Sequence, residues 1–401
     1  MRGEWRFHSA GEIIFGRGAV QRTGEAAQRL GAERVLLVTD EVLIEAGLHE
    51  PVEQSLAGVH VTADRYAGGM AKPTLDGVAA CVAAAREKGY DALVALGGGS
   101  NIDQAKAAAV VLRYGGSAAD YFGENKVPGP ILPVIAVSTT AGTGSEVSGA
   151  SVLADPANKR RGSILSNLVR PRAAIYDPLL TVSCPPQVTA DAGIDALTHA
   201  VEAYMVLDHS LADGGEDPAS PYSGRSPLTD ALAEKAIALI GRYLRRAVYK
   251  GGDLEAREGM HLASLLAGLA FSNAGLTAVH ALEYPVGVLT GCTHGAGNGL
   301  LLPFVMEYNI PACTERLAVV AALLGEQVDG LSKRDAAGLA VDAVQRMKSE
   351  VGIPLRLRDV GIEEEALPTL AEATLGITRL IRANPRALDG EALEDILGRA
   401  W

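Results

Sequence analysis

Apolar residues fall along this chain in two different rhythms. In the first half they come as short unbroken runs: ERVLLVTD (33–40), DALVALGGGS (91–100) and PILPVIAVSTT (130–140). Such runs, without polar alternation, predict strands covered on both faces. Between them lie segments with helical spacing, TLDGVAACVAAAREKG (74–89) and NIDQAKAAAVVLRYG (101–115). Strand and helix in alternation predict a doubly wound α/β domain with a parallel sheet. Ligands of such a sheet sit at the carboxyl ends of its strands.

After DPLLTVSCPPQVTAD (177–191) the rhythm changes. Strand-like runs stop, and long helical patterns take over: TDALAEKAIALIGRYLRRAVYKG (229–251), EAREGMHLASLLAGLAFSNAG (255–275) and ERLAVVAALLG (315–325). Pro185 and Pro186 interrupt regular structure. The chain therefore divides near residue 187 into an α/β domain (1–187) and an all-helical domain (188–401). One stretch breaks the helical half: VLDHSLADGGEDPASPYSGRSPL (206–228) reads as a long loop. Loops of this length are functional elements or solvent-exposed insertions. The longest apolar stretch, 262–282, is interrupted by Ser264, Ser272, Asn273, Thr277 and His280. It reads as a buried core helix plus a turn, not as a membrane span.

Composition narrows the function classes. Hydrophobic residues make up 48% and charged residues 21%, a globular balance. The formal net charge of −12 argues against nucleic acid and against an anionic membrane surface as partners. The four cysteines are scattered with no C-x-x-C pair, which suggests a reducing compartment. The segment MRGEWRFHSAGEIIFG lacks the apolar core of a signal peptide. The expectation is a soluble, cytoplasmic protein.

Two glycine-rich turns follow predicted strands. GGGSNIDQAK (97–106) opens a helix, where Gly97, Gly98 and Gly99 let backbone N–H groups approach a phosphate and the helix dipole favours negative charge. Ser100 could donate a further hydrogen bond. Asp103 either complements the helix dipole or accepts from a ligand hydroxyl or amide. The pattern is neither G-x-G-x-x-G nor a P-loop. STTAGTGSE (138–146) is a second turn, with Ser138, Thr139, Thr140, Thr143 and Ser145 around two glycines. Two such loops on one sheet favour a dinucleotide over a single phosphate. Asp40 ends the strand VLLVTD; a carboxylate there can accept from adenosine ribose hydroxyls and repel a 2′-phosphate, or it can cap a helix.

In DALTHAVEAY (195–204) Asp195 and His199 lie four apart on one helical face. Further ligands must come from elsewhere. His280 and His294 both lie in GLTAVHALEYPVGVLTGCTHGAGNGLLLP (275–303). One carboxylate and three imidazoles would suit Fe²⁺ or Zn²⁺. From spacing alone only Asp195 and His199 are tied together, and a lone histidine in an apolar run is more often a core residue. His261 reads as such a core histidine, and His209 as a solvent-exposed one.

GGGSNIDQAK, STTAGTGSEVS, GIDALTHAVEAY, LAGLAFSNAGLTAVHALEYPVG and THGAGNGLLLP, in that order over nearly the whole chain, resemble the iron-containing (group III) alcohol dehydrogenase family. The resemblance implies an N-terminal dinucleotide-binding domain and a helical C-terminal domain, with the active site in the cleft between. It implies metal ligation by Asp195, His199, His280 and His294. NAD would lie on Gly97 to Ser100 and Ser138 to Ser145, and Asp40 falls where NAD-preferring members carry aspartate. The implied reaction moves a hydride between an alcohol and NAD, or back to an aldehyde or ketone. The implied assembly is a homodimer or higher homo-oligomer.

There are departures. Tyr284 stands where several members have a histidine, and either joins a proton relay or shapes the pocket. For a lysine that the family often places at the cofactor, NKRRGS offers Lys159, Arg160 and Arg161, with Arg161 the candidate, and Lys72-Pro73 stands for a common Asn-Pro. The insertion at 206–228 is similar to one in the hydroxyacid–oxoacid transhydrogenase branch, which makes transhydrogenation with tightly held NAD the alternative reaction. A dehydroquinate synthase-like lyase would need a second basic cluster near the metal motifs, and a non-catalytic binding protein would not need four intact ligand positions.

Overall fold

The computed structural model describes residues 4–86, 88–158, 160–211 and 220–401. Contacts divide the chain into two compact units. One holds His8–Cys184 with a short piece ending at Pro221; the other holds Pro185 onward, with the first residues up to Phe7.

The described residues of the first unit carry nine strands: β1 (Ile13–Phe15), β2 (Arg34–Val38), β3 (Thr62–Tyr66), β4 (Ala92–Gly97), β5 (Gly123–Glu124), β6 (Val134–Ser138), β7 (Ala150–Asp155), β8 (Arg160–Leu165) and β9 (Ala173–Tyr176). Six form one parallel sheet in the order β1-β9-β6-β4-β2-β3. Its main helices are α1 (Thr23–Arg29), α2 (Glu41–Glu45), α3 (Glu50–Ala57), α4 (Leu75–Arg86) and α5 (Gly99–Tyr114). The unbroken apolar runs are explained by burial on both faces. Val35, Leu37, Val94 and Leu96 pack into the core on one side of the sheet, while Leu36, Val38, Leu93 and Ala95 pack into the core on the other. The chain leaves β2 for β3 on one side and returns to β4 on the other. The carboxyl ends of β2 and β4 therefore flank a topological switch point, where such sheets bind ligands.

Six strands escaped the apolar reading: β1, β3, β5, β7, β8 and β9. β7 pairs antiparallel with β8, and β5 joins β8 in parallel, making a small second sheet. β7 alternates buried and half-buried positions, so it lacks the run that marks the central strands.

The regular elements among the described residues of the second unit are helices: α6 (Pro186–Met205), α7 (Pro227–Tyr249), α8 (Leu254–Ala274), α9 (Ala278–Thr290), α10 (His294–Leu323), α11 (Lys333–Glu350), α12 (Leu367–Leu375), α13 (Thr378–Ala383) and α14 (Gly390–Ala400). Pro186 sits in the first turn of α6, where a missing N–H costs nothing. Apolar stretch 262–282 is the buried end of α8, a turn at Gly275 (φ +106°) and the start of α9. No single helix among the described residues is long and apolar enough to cross a membrane; α8 and α9 reach that length only together, bent by 103°. Residues 315–325, read as a separate helix, form the end of the 30-residue α10, which passes Pro303 and Pro311 and kinks at Cys313. Of the predicted loop 206–228, residues 212–219 lie outside the described residues. Asp208 bridges to Arg225, and Ser226 opens α7 with a capping box.

Candidate metal centre and glycine turns

Asp195 and His199 stand one turn apart on α6, both buried, with His199 Nδ1 3.9 Å from Asp195 Oδ2. His280 lies in the first turn of α9, and His294 is the first residue of α10. The His199 and His280 rings stack at 4.9 Å, and His280 meets His294 edge-on at 5.2 Å. One donor atom from each of Asp195, His199, His280 and His294 lies within 4.8 Å of the others, a set able to hold one metal ion. Three of the four are buried, whereas the His294 side chain is 37% exposed, so the cluster opens on that side.

Small residues bring α10 close enough. A Cβ on Gly295 would stand 2.1 Å from the Asp191 carbonyl oxygen, and one on Gly299 would stand 2.7 Å from Ile194. Thr293 caps α10 by accepting from Ala296 N–H, and its hydroxyl donates to Asp191 at 2.7 Å. These contacts seat His294 beside α6.

The imidazoles are oriented from behind. His280 Nδ1 donates to Glu202, and His294 Nδ1 donates to Glu283 at 2.5 Å. Each Nε2 is thereby left with its lone pair toward the cluster, the arrangement a ligating histidine needs. Glu202 also accepts from the N–H groups of Thr277 and Val279 and from the Thr277 hydroxyl. Burial works to raise the Glu202 pKa, but His280 and these donors outweigh it and hold the carboxylate below its usual range. Burial lowers the His199 pKa to about 4, against the pull of Asp195, so its imidazole is neutral at pH 7. Asn298, one turn after His294, donates from Nδ2 to Asp195 Oδ1 at 2.8 Å. A mixed O/N set with oriented imidazoles fits Fe²⁺ or Zn²⁺.

In the other unit the glycine turns meet. A Cβ on Gly98 would come within 3.2 Å of Thr140 Oγ1, and one on Gly99 within 2.9 Å of the Thr143 side chain. Gly98 caps α5 with extended backbone, so the free N–H groups of the first turn face outward from the strand end. Thr39 Oγ1, Thr140 Oγ1 and Asn101 Oδ1 are buried without a hydrogen-bond partner among the described residues. Buried polar atoms left so point to a ligand, which fits a polar cofactor at these strand ends.

Other expected contacts are used within the fold. Asp103 is buried on α5 and accepts from Val152 N–H at 2.9 Å, with Lys106 Nζ 3.9 Å away. It ties α5 to β7. The Ser100 hydroxyl likewise donates to the Ala71 carbonyl at 2.7 Å. Ser138 donates to the Thr140 carbonyl and to Glu146, and Thr143 Oγ1 accepts from Ser145 N–H. Thr139 is buried and its N–H donates to the Gly97 carbonyl at 3.1 Å. Asp40 caps α2 through Leu43 N–H and accepts from Asn101 at 2.7 Å. Arg161 lies opposite Ala154 where β7 and β8 pair antiparallel.

Comparison with known proteins decides the family. Residues 10–178 match the model of iron-containing alcohol dehydrogenases, and residues 221–401 match that of the Fe-containing alcohol dehydrogenase family, C-terminal. The chain belongs to the iron-containing alcohol dehydrogenase family. An NAD-dependent methanol dehydrogenase of Bacillus methanolicus is 37% identical over 96% of this chain and 97% of its own. A 1,3-propanediol dehydrogenase of Citrobacter freundii is 38% identical over 97% and 96%. The crystal structure of a 1,3-propanediol oxidoreductase superposes with a TM-score of 0.93 at 37% identity, covering 99% of this chain and all of the other.

Within this dehydrogenase family member, Glu202, Glu283 and Asn298 were missed by sequence reasoning. Glu202 lies inside DALTHAVEAY itself, on the same face as Asp195 two turns earlier. A carboxylate three residues after His280, and another within an apolar helix, were the available signals. Tyr284 on α9 is half-buried, its ring 6.3 Å from that of His294. His261 is fully buried on α8. His209 is half-buried, with Nδ1 3.2 Å from the Arg225 carbonyl.

Proposed function

We propose that this protein is an NAD-dependent, metal-dependent dehydrogenase that oxidises small primary alcohols or diols and reduces the corresponding aldehydes. The convergence of Asp195, His199, His280 and His294 on one point carries the reading. The names of its relatives, which specify methanol and 1,3-propanediol, support the substrate class.

Asp195, His199, His280 and His294 would hold the metal, with iron first and zinc second. When bound, the ion supplies Lewis acidity toward an alcohol or carbonyl oxygen, and NAD supplies the hydride acceptor. The chain's own work is positional. Glu202 and Glu283 keep the Nδ1 protons of His280 and His294 and so reserve both Nε2 atoms for ligation. The Gly98–Gly99 turn with Thr140 and Thr143 would cradle the cofactor phosphates, with Asp40 at the adenosine ribose. Tyr284, beside the exposed face of His294, would shape the pocket and pass a proton. A cytoplasmic homodimer or higher homo-oligomer belongs to the same proposal.

The test combines metal analysis of purified protein with NADH formation across primary alcohols, diols and hydroxyacids. Chelation should abolish turnover, and Fe²⁺ should restore it. Turnover unaffected by metal removal would overturn the reading. Hydride exchange between a hydroxyacid and an oxoacid without added NAD would replace it by transhydrogenation.

A further inference from the structure

Asn101 stands at the switch point of the sheet, on the first turn of α5, and is almost wholly buried. Its Nδ2 donates to Asp40 Oδ2 at 2.7 Å and to the Leu96 carbonyl at 3.0 Å. One amide thus joins the end of β4 to Asp40, two residues beyond the end of β2. Asp40 Oδ1 accepts from Leu43 N–H at 3.0 Å, so both carboxylate oxygens are held. The Asp40 backbone is held as well, by a bridge to Gly68, and Gly69 N–H donates to the Thr39 carbonyl at 2.9 Å.

The amide is fixed in place by what surrounds it. A Cβ on Gly69 would lie 2.1 Å from Asn101 Oδ1, and one on Gly97 would lie 2.3 Å from Nδ2. Gly97 also has a φ of +149°, which side chains rarely adopt. Two glycines therefore leave room for this one side chain and confine it.

The donors on Asp40 are neutral N–H groups. Among the described residues no lysine or arginine forms an ion pair with it, so its negative charge stands uncompensated at the strand end. A carboxylate so held repels a phosphate that approaches it, and repels most effectively when it cannot rotate away.

We propose that Asn101 is a positioning residue for cofactor choice: it aims the Asp40 carboxylate and thereby sets the preference for NAD over its 2′-phosphorylated form. This rests on the reading that Asp40 faces the adenosine ribose. Asn101 touches Asp40 and not the reacting atoms.

The test measures dissociation constants for NADH and NADPH by fluorescence titration, which needs no turnover. It uses the wild type, Asn101→Ala, Asp40→Ser and the double variant. Asn101→Ala should narrow the preference for NADH about tenfold, the worth of one hydrogen bond to a charged group. Asp40→Ser should narrow it further, and Asn101→Ala should then add nothing, because its effect passes through Asp40. An unchanged ratio in Asn101→Ala, with a changed ratio in Asp40→Ser, overturns the proposal and leaves the ribose reading standing. Equal shifts in both backgrounds also overturn it, since Asn101 would then act independently. No shift in Asp40→Ser removes the ribose reading and the proposal together. A purely structural role would weaken both nucleotides alike and leave the ratio unmoved. Asn101→Ser carries the same comparison if Asn101→Ala does not fold.

Discussion

The Glu202 carboxylate accepts the Nδ1 proton of His280, joining the last turn of α6 to the first turn of α9. The bond sets which ring nitrogen of His280 carries a proton. Glutamine at this position would keep the oxygen for Thr277 and Val279 but present N–H to Nδ1. The proton would move to Nε2, where it blocks ligation. Glu202→Gln is therefore expected to weaken metal affinity about 10–100-fold, with most of the stability retained. Competition against a chelator, followed by metal content, checks this; wild-type affinity would show that the tautomer is set elsewhere.

Gly295 makes the close approach of α10 to α6 possible. Alanine there would press its methyl group into the Asp191 carbonyl, which is backbone and cannot swing aside. Gly295→Ala should cost about 1–3 kcal/mol by overpacking and displace His294 from the other three ligands. Loss of bound metal together with a lower thermal midpoint is expected. Gly338, which has nothing within 4 Å of its Cβ position, provides the control, since Gly338→Ala should retain the metal.

Acid stability should depend on His261. Burial drops its pKa from 6.5 to about 3, so the folded protein binds fewer protons there than the unfolded chain. The contribution is complete above pH 6.5 and is lost as pH falls toward 3. The slope is about 1.4 kcal/mol per pH unit within that window. His261→Leu should flatten denaturant-derived stability against pH between 4 and 6.5 by roughly that slope. An unaltered profile would mean that the unfolded chain keeps His261 from titrating.

The Tyr284 ring lies 6.3 Å from that of His294. If its hydroxyl passes a proton, Tyr284→Phe should lower kcat about 10²-fold or more and leave metal content unchanged. If it only shapes the pocket, KM should move and kcat should not. Steady-state kinetics on a primary alcohol separate the two.

Much of this molecule was readable before folding. Unbroken apolar runs named β2, β4 and β6 because a strand buried on both faces has no polar alternation, and two core clusters now account for alternate residues of each. The Asp195–His199 pair was readable because helical spacing is local. Strands β7 and β8 were not, since half-buried positions alternate along β7, which leaves no unbroken apolar run. Asp103 carries a contact that no local pattern announces. Its place after a glycine turn suggests a ligand contact, and packing against β7 adds Val152 N–H as a partner.

Periodicity thus specified the parallel sheet, the change to helices and half of the proposed ligand set, because each depends on neighbours within a few turns of chain. Ordered motifs specified the family. Packing alone brought His280 and His294 to Asp195, turned Glu202 and Glu283 into their anchors, and confined Asn101 against Asp40. Those relations join residues tens of positions apart, through close helix contacts and strand crossovers, and no local pattern encodes the distance between them.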